Sequence, residues 1–475
     1  MKLYNTLSRK VENLTPIQGS KVKLYTCGLT VYGQPHIGNW LGYIYWDVMV
    51  RALKANGYEV EHTQNITDVG HLVSDDDNGE DKMEKGARLE GKTAWDVART
   101  YIAVAENESN MLGLTPPTHI VRATDMIPQQ IEFTKLLENK GFLYEIASDG
   151  MYFDTSKLAD YGKLARLDID GLEAGARVSV EGKKNITDFA VWKYSPKDVK
   201  RDMEWDSPWG KGFPGWHLEC SVIARETLGD QIDIHTGGID HIPVHHTNEI
   251  AQTEAATGKR FSQFWVHNNH IKADGRKISK SLGNIYTLQD ILDKGFSVDA
   301  FRVFALGKHY RTEGNFSWDN LEAAYNRLNH WKAVATLRWQ ADDSFKAIVP
   351  ASEAAAGDLI GKFKKSLLEA LSNDIDSVSA LNEIDRAVNA IESQPLEKLI
   401  PSAITALFDV IDDLLGLKIC ESTPDLNNEQ KQLLNDRQIA RDNKDWATSD
   451  NIRDSLLEQS IGLHDTSKDT TWRWL

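Results

Sequence analysis

The stretch TCGLTVYGQPHIGNW, residues 26–40, joins what reads as a strand to what reads as a helix, and it carries Cys27 nine residues ahead of a His-Ile-Gly-Asn tetrad. Upstream, KVKLYTC (21–27) sets Val22, Leu24 and Thr26 on one face, the period of a strand. Downstream, from about Gly38, apolar residues at Leu41, Ile44, Tyr45, Val48 and Ala52 recur with a helical period. Asn56-Gly57 predicts the helix stop, and YEVEHTQNIT (58–67) the next strand. A second unit of this kind lies far downstream. QIDIHTGG (231–238) reads as a strand, HHTNEIAQTEAAT (245–257) as a helix closed by Gly258, and RFSQFWVHN (260–268) as a strand. Strands alternating with helices imply an α/β fold with a parallel sheet, whose ligands bind beyond the carboxyl ends of the strands. Both the HIGN and the HTGGID connections leave strands at that edge.

A chain of 475 residues, 41% hydrophobic and 26% charged, has the composition of a globular protein of about three domains. It begins without an apolar secretion signal and contains no run of 18 apolar residues, so no membrane segment is expected. Three cysteines, Cys27, Cys220 and Cys420, leave a remainder in any disulfide scheme and point to a reducing cytoplasm. The net charge of −16 argues against a protein that coats nucleic acid non-specifically. It leaves open RNA binding through a local basic face. Residues 119–202 read as an insertion with its own strands, including MYFDTS and DFAVWKY, and beyond about residue 320 the pattern is almost entirely helical. A polar break, CESTPDLNNEQ (420–430), precedes a last small unit ending DTTWRWL.

Two segments compete for a nucleotide. GARLEGKT (86–93) fits the P-loop string, but SDDDNGEDKMEK before it supplies carboxylates and no strand, so a surface helix is expected there. HIGN is better placed, because a helix start offers backbone N–H groups and a favourable dipole to an anion. Gly38 lets a nucleotide approach the backbone, and His36 and Asn39 can donate to phosphate oxygens. KISKS (277–281), in the loop ADGRKISKSLGN after the second unit, adds Lys277 and Lys280, which can neutralise charge developing on pyrophosphate. HIGN and KISKS, in this order and at these topological positions, resemble the two signatures of class I aminoacyl-tRNA synthetases.

Cys27 also has potential companions. Cys220 lies in PGWHLECSVIA, which reads as a helix from near Trp216, and His245 and Glu249 share one helical face. Two thiolates, an imidazole and a carboxylate suit tetrahedral zinc, although no pair has zinc-finger spacing and simple burial of the cysteines stays open on spacing alone.

The resemblance then narrows. CGLTVYGQPHIGN, NITD, PGWHLEC, GGID with HHTNEIAQTEA, KISKSLGN and KDWATSDNIRDSL are similar, in order and over essentially the whole chain, to the cysteinyl-tRNA synthetase family. That resemblance implies one zinc ion on Cys27, Cys220, His245 and Glu249, holding the substrate thiol beside ATP. It implies ATP contacts from Thr30, His36, Gly38, Asn39, Lys277 and Lys280 with Mg²⁺, ribose held by Asp240, and a cysteine pocket of Gly28, Thr67 and Trp216. Arg437, Arg441, Arg453 and Trp472 are the candidates for tRNA contacts. The implied partners are tRNA(Cys), ATP and L-cysteine, with no membrane, and the expected state is a cytoplasmic monomer. The implied domains are a Rossmann-type catalytic domain at 1–118 and 203–275, a connective insertion at 119–202, and a KISKS-loop and stem-contact region at 276–320. A helical bundle at 321–420 and an anticodon-binding unit at 421–475 follow. The insertion is too short for a hydrolytic editing domain, and a zinc that demands a thiol makes one unnecessary.

The sequence departs from the family's pattern at several positions. Asn39 replaces a histidine, Ile278 a methionine and Thr247 a glutamate, and Asp469 stands where a glycine is usual. After NITD, Val69-Gly70-His71-Leu72 and a longer acidic loop replace the usual acidic residues and lysine. Two rivals remain: a cysteine:amino-sugar ligase of the same fold, which needs no anticodon unit, and a catalytically silent zinc-containing RNA-binding paralogue, which would not need His36, Lys277 and Lys280. A zinc hydrolase would need the HExxH arrangement that HHTNE lacks.

Overall fold

The computed structural model describes residues 1–70, 82–167, 182–196, 201–279, 282–341, 350–465 and 470–475. The chain divides into two compact units, Met1–Asp290 with Tyr310–Asn315, and Ile291–His309 with Phe316–Leu475. Among the described residues no helix is long and apolar enough to cross a membrane.

The first unit is built on five parallel strands: β1 (Lys21–Thr26), β2 (Glu59–Ile66), β3 (His119–Arg122), β4 (Ile232–Gly238) and β5 (Ser262–Asn268). Their order across the sheet is β5-β4-β1-β2-β3. This is the doubly wound order in which the chain reverses direction between β1 and β4, so that a crevice opens beyond the ends of those two strands. Register aligns the two ends, Thr26 lying opposite Thr236. Three helices carry the site: α1 (Ile37–Ala55), α2 (Trp216–Leu228) and α3 (His245–Thr257). In α1 the expected stripe is buried, Ile44, Val48 and Ala52 completely, and Asn56 and Gly57 (φ +86°) close the helix as expected. In α3 burial extends around most of the helix, including His245, His246 and Glu249, with Gly258 in the left-handed conformation at its end.

The insertion differs in extent from its expected limits. β3, at His119–Arg122, belongs to the parallel sheet although it falls past the expected boundary at 118. The insertion's own sheet is antiparallel and four-stranded, and it takes its last strand from Gly212–Pro214, beyond 202. Strand pairing over long sequence distances set both edges, and short strands carry too little periodicity to announce it. The P-loop look-alike forms a helix, Lys82–Glu90, followed by Gly91 at φ +64° and a second helix capped by Thr93. Most of its acidic prelude lies outside the described residues.

The second unit is helical, as expected. Trp318–Ala335, Pro350–Ser372, Ser377–Glu392 and Pro401–Leu415 precede a C-terminal pair, Asn428–Asp442 and Trp446–Glu458, and a hairpin of Ile461–Asp465 with Thr470–Trp474. Arg302, fully buried, donates to the carbonyl of Leu415, and Arg338 donates to the carbonyls of Cys420 (3.0 Å) and Thr423 (2.7 Å).

Candidate active site and metal centre

Cys27 follows the last residue of β1, and its N–H donates to the carbonyl of Thr236 at 3.3 Å, so it sits where β1 and β4 part. α2 brings Cys220 to the same place on its second turn. α3 brings His245 and Glu249, one turn apart. One ligand atom from each of Cys27, Cys220, His245 and Glu249 lies within 4.8 Å of the others, and all four residues are buried. Residues far apart in the chain thus converge into a thiol, thiol, imidazole and carboxylate set, the donor chemistry of tetrahedral zinc.

The electrostatics suit a cation at the centre. Burial, Cys220 and the charge of Glu249 drive the Cys27 thiol well above its ordinary range. For Cys220, burial is outweighed by hydrogen bonding with Cys27 and by His245, bringing it to about 7. Burial opposes charge on His245, but Glu249 and Cys220 hold it up at about 10. Burial likewise opposes charge on Glu249, yet His235 and His245 bring it down to about 2. A divalent cation reverses the first of these effects, since it favours the thiolate and the neutral imidazole. The residues present therefore fit the metal.

Around this set lies a shell of histidines that sequence reasoning did not find. His245 directs Nε2 at Glu249 (3.0 Å), while its Nδ1 meets Nδ1 of His217 at 3.0 Å. The other Glu249 oxygen pairs with Nε2 of His235 at 2.9 Å, and Trp265 stacks on that ring at 4.5 Å. His246 meets Cys27 Sγ through Nε2 (3.3 Å) and His267 through Nδ1 (2.8 Å), and His267 meets Thr6 Oγ1 at 2.7 Å. Burial, together with the neighbouring histidines, keeps His246 and His267 neutral. With Cys27 as a thiolate one orientation is consistent: Thr6 donates to His267, His267 to His246, and His246 to sulfur. His235 and His246, with Cys27 and Glu249, make a second, overlapping cluster of possible ligands. Five of the chain's 14 histidines fall within 217–246, a clustering that marks the region without saying which of them meet.

The expected cysteine pocket borders the set. Trp216, the first residue of α2, stacks on His245 at 4.2 Å and 29°. Gly28 donates its N–H to Asn65 Oδ1 at 2.7 Å, and Asn65 donates to Thr67 Oγ1 at 3.0 Å. Thr30 bridges to Thr67 in parallel, extending β1 toward β2 past its formal end.

The HIGN segment is organised differently from the expectation of an open helix N-terminus. His36 is the cap of α1: its Nδ1 accepts from Gly38 N (3.1 Å), and Asn39 Oδ1 accepts from His36 N (2.9 Å). Ile37 N donates to the carbonyl of Tyr286 (2.8 Å) and Asn39 N to that of His36 (2.9 Å). The amides of residues 36–39 are thus spent within the protein. The donors that remain are on side chains, because an imidazole accepting at Nδ1 carries its proton on Nε2, and Asn39 retains its Nδ2 donors. A Cβ at Gly38 would lie 3.0 Å from the His36 ring, so glycine here keeps the cap intact. Asp240, on the short turn after β4, is largely exposed. Lys277 is exposed on a two-residue strand paired with Ile271–Ala273. Lys280, like His71, Leu72 and Asp469, lies outside the described residues.

Residues 13–326 match the family described as tRNA synthetases class I (C) catalytic domain, and residues 423–473 match the cysteinyl-tRNA ligase anticodon binding domain. The cysteine–tRNA ligase 1 of Burkholderia lata is 43% identical over 470 residues, 98% of this chain and 95% of that protein. The chain belongs to the cysteine–tRNA ligase family. The cysteine–tRNA ligase of Treponema denticola is 38% identical over 498 residues, covering the whole of both chains. At the level of fold alone, the Mycobacterium tuberculosis methionyl-tRNA synthetase in complex with methionyl-adenylate superposes with a TM-score of 0.60 at 14% identity, over 85% of this chain and 93% of that one.

Within the segment that matches the family's anticodon-binding domain, the four tRNA candidates have unequal surroundings. Arg437 is buried and forks onto Asp465, at 3.0 and 2.7 Å. Trp472 belongs to a core with Leu426, Leu456 and Ile461, and its N–H donates to Gln340 Oε1 at 2.8 Å. Both side chains are buried among partners inside the unit, where they hold it together. Arg441 shares Asp465 at 2.8 Å but remains partly exposed, and Arg453 is half exposed beside Asp450. The sequence could not separate these four, because arginine and tryptophan serve cores and RNA surfaces equally well.

Proposed function

We propose that this cysteine–tRNA ligase couples L-cysteine to tRNA(Cys) through a cysteinyl-adenylate, selecting cysteine by its thiol. The observation that carries this reading is the convergence of Cys27, Cys220, His245 and Glu249 at the crevice between β1 and β4. Those four residues would hold zinc, which when bound supplies a soft Lewis acid that takes a thiolate in preference to a neutral hydroxyl. Trp216 and Thr67 frame the substrate beside it. His36 donates through Nε2, Asn39 through Nδ2, and Lys277 and Lys280 neutralise charge on the leaving pyrophosphate, whose Mg²⁺ arrives with ATP. The cysteine carboxylate attacks the α-phosphorus, pyrophosphate leaves, and the terminal ribose hydroxyl of the tRNA then takes the cysteinyl group and releases AMP. Neither step needs a protein nucleophile, so positioning and charge supply the rate.

ATP–pyrophosphate exchange on purified protein, with cysteine or serine and before and after zinc removal, tests this. Exchange that needs cysteine, ignores serine and collapses without zinc is expected. Selective exchange that survives complete zinc removal overturns the account of Cys27. Zinc without any exchange favours the silent paralogue. The match at 423–473 speaks against the amino-sugar ligase, which has no use for an anticodon unit.

A further inference from the structure

Asn284 closes the KISKSLGN segment and is buried, although Leu282 and Gly283 beside it are exposed. Its carboxamide grips the segment on both sides of Ile278: Oδ1 accepts from Ser279 N at 2.9 Å, and Nδ2 donates to the carbonyl of Lys277 at 3.1 Å. The same Nδ2 reaches the carbonyl of Ala273, on the preceding strand, at 3.4 Å. Gly283, at φ +63°, supplies the left-handed turn that folds Asn284 back onto the segment. Two residues further on, the carbonyl of Tyr286 receives the first amide of α1, Ile37 N, at 2.8 Å. Residues 284–286 thus hold the backbone of Lys277 on one side and the HIGN helix on the other. The strand that carries Lys277, Arg276–Lys277, is two residues long and pairs on one side with Ile271–Ala273. Such a short ladder leaves the direction of its last residue weakly determined.

We propose that Asn284 is a positioning residue for adenylation, fixing the direction in which Lys277 leaves its strand. It acts through Lys277 and touches no substrate. The proposal rests on the reading of Lys277 as the group that neutralises pyrophosphate, and it uses binding order already present in the free protein to spare that cost at the transition state.

The test is cysteine-dependent ATP–pyrophosphate exchange on the full-length zinc-loaded protein, for Asn284→Ala, Asn284→Asp, Lys277→Ala and the double variant Asn284→Ala/Lys277→Ala. Asn284→Asp keeps the acceptor for Ser279 N and loses the donor to Lys277, and it carries the comparison should the alanine variant fail to fold. Lys277→Ala and both Asn284 variants are expected to lower kcat by roughly 10- to 100-fold, with the KM for ATP moved less than about threefold. In the double variant, Asn284→Ala should cost less than about threefold beyond Lys277→Ala, because a residue acting through another has nothing left to position. A merely structural role would lower the unfolding midpoint and multiply with Lys277→Ala, and that result overturns the proposal. Exchange slowed by Lys277→Ala but by neither Asn284 variant overturns the proposal alone. Exchange indifferent to Lys277→Ala overturns the reading of Lys277 and the proposal with it.

Discussion

At position 28 a Cβ would lie 1.5 Å from the carbonyl oxygen of Asn65, so the backbone beside the metal set can pack only as glycine. Gly28→Ala should destabilise the protein by about 3 kcal/mol or more, the upper range for overpacking because the obstacle is backbone, as read by urea unfolding. Loss confined to activity with unchanged stability would contradict that packing. The candidate metal ligands make a separate prediction. Cys220→Ser should lower bound zinc well below one per chain and cut cysteine-dependent exchange by about 100-fold or more, since it removes one of two soft donors. His217 meets the nitrogen of His245 that faces away from Glu249, so His217→Ala should weaken zinc by about 10- to 100-fold while leaving the four candidate ligands in place. Metal titration against a competing chelator measures both.

The first turn of α1 is capped by the same residues that the proposed function assigns to ATP. Asn39 accepts from His36 N with Oδ1, and its Nδ2 donors are not used in that cap. Capping and the proposed ATP role separate by substitution. Asn39→Ala should cost about 1 kcal/mol in urea unfolding, the ordinary worth of a helix cap, and should also weaken ATP. Asn39→Asp keeps the acceptor and places a negative charge at a helix start, so it should restore most of the stability. On the proposed ATP reading it should nevertheless raise the KM for ATP by about tenfold or more, because a carboxylate would replace a donor to phosphate. If the aspartate variant recovers ATP binding together with stability, Asn39 serves the helix alone.

One pH-sensitive element outside the metal set lies in the C-terminal segment. The Arg437 guanidinium, with Thr470 and Arg441, holds the Asp465 carboxyl well below the usual carboxylate range against the opposing effect of burial. A carboxylate whose folded pKa is depressed contributes stability that is present above about pH 4, its unfolded value, and is lost as pH falls through the folded one. The C-terminal segment should therefore loosen on acidification below about pH 4, as followed by tryptophan fluorescence, and Asp465→Asn should flatten that dependence. Arg437→Ala should cost about 1–3 kcal/mol in unfolding of this unit, since its side chain is 3% exposed while Asp465 is 33% exposed. Arg453→Ala, by contrast, should leave stability within about 0.5 kcal/mol, so any fall in its aminoacylation reports RNA contact.

Local chemistry determined much of this protein in the sequence itself. The helical period from Ile37, the Asn56-Gly57 stop and the aromatic strand at 262–268 are decided by residues within a turn or two of one another, and each is found within one or two residues of its expected limits. Residue type at Cys27, Cys220, His245 and Glu249, read through the family resemblance, pointed to the metal set. What needed the tertiary structure was every fact made by distant segments meeting. The order β5-β4-β1-β2-β3 puts Cys27 at the switch point, and β3 belongs to this sheet only because β2 pairs with it. The histidine shell joins Thr6, His217, His235, His246 and His267, whose spacing carries no period. The burial of Arg437 and Trp472 depends on a hairpin partner and on a helix more than a hundred residues upstream. A strand's edge, a histidine's tautomer and an arginine's partner are properties of the assembled packing, and composition and spacing cannot express them.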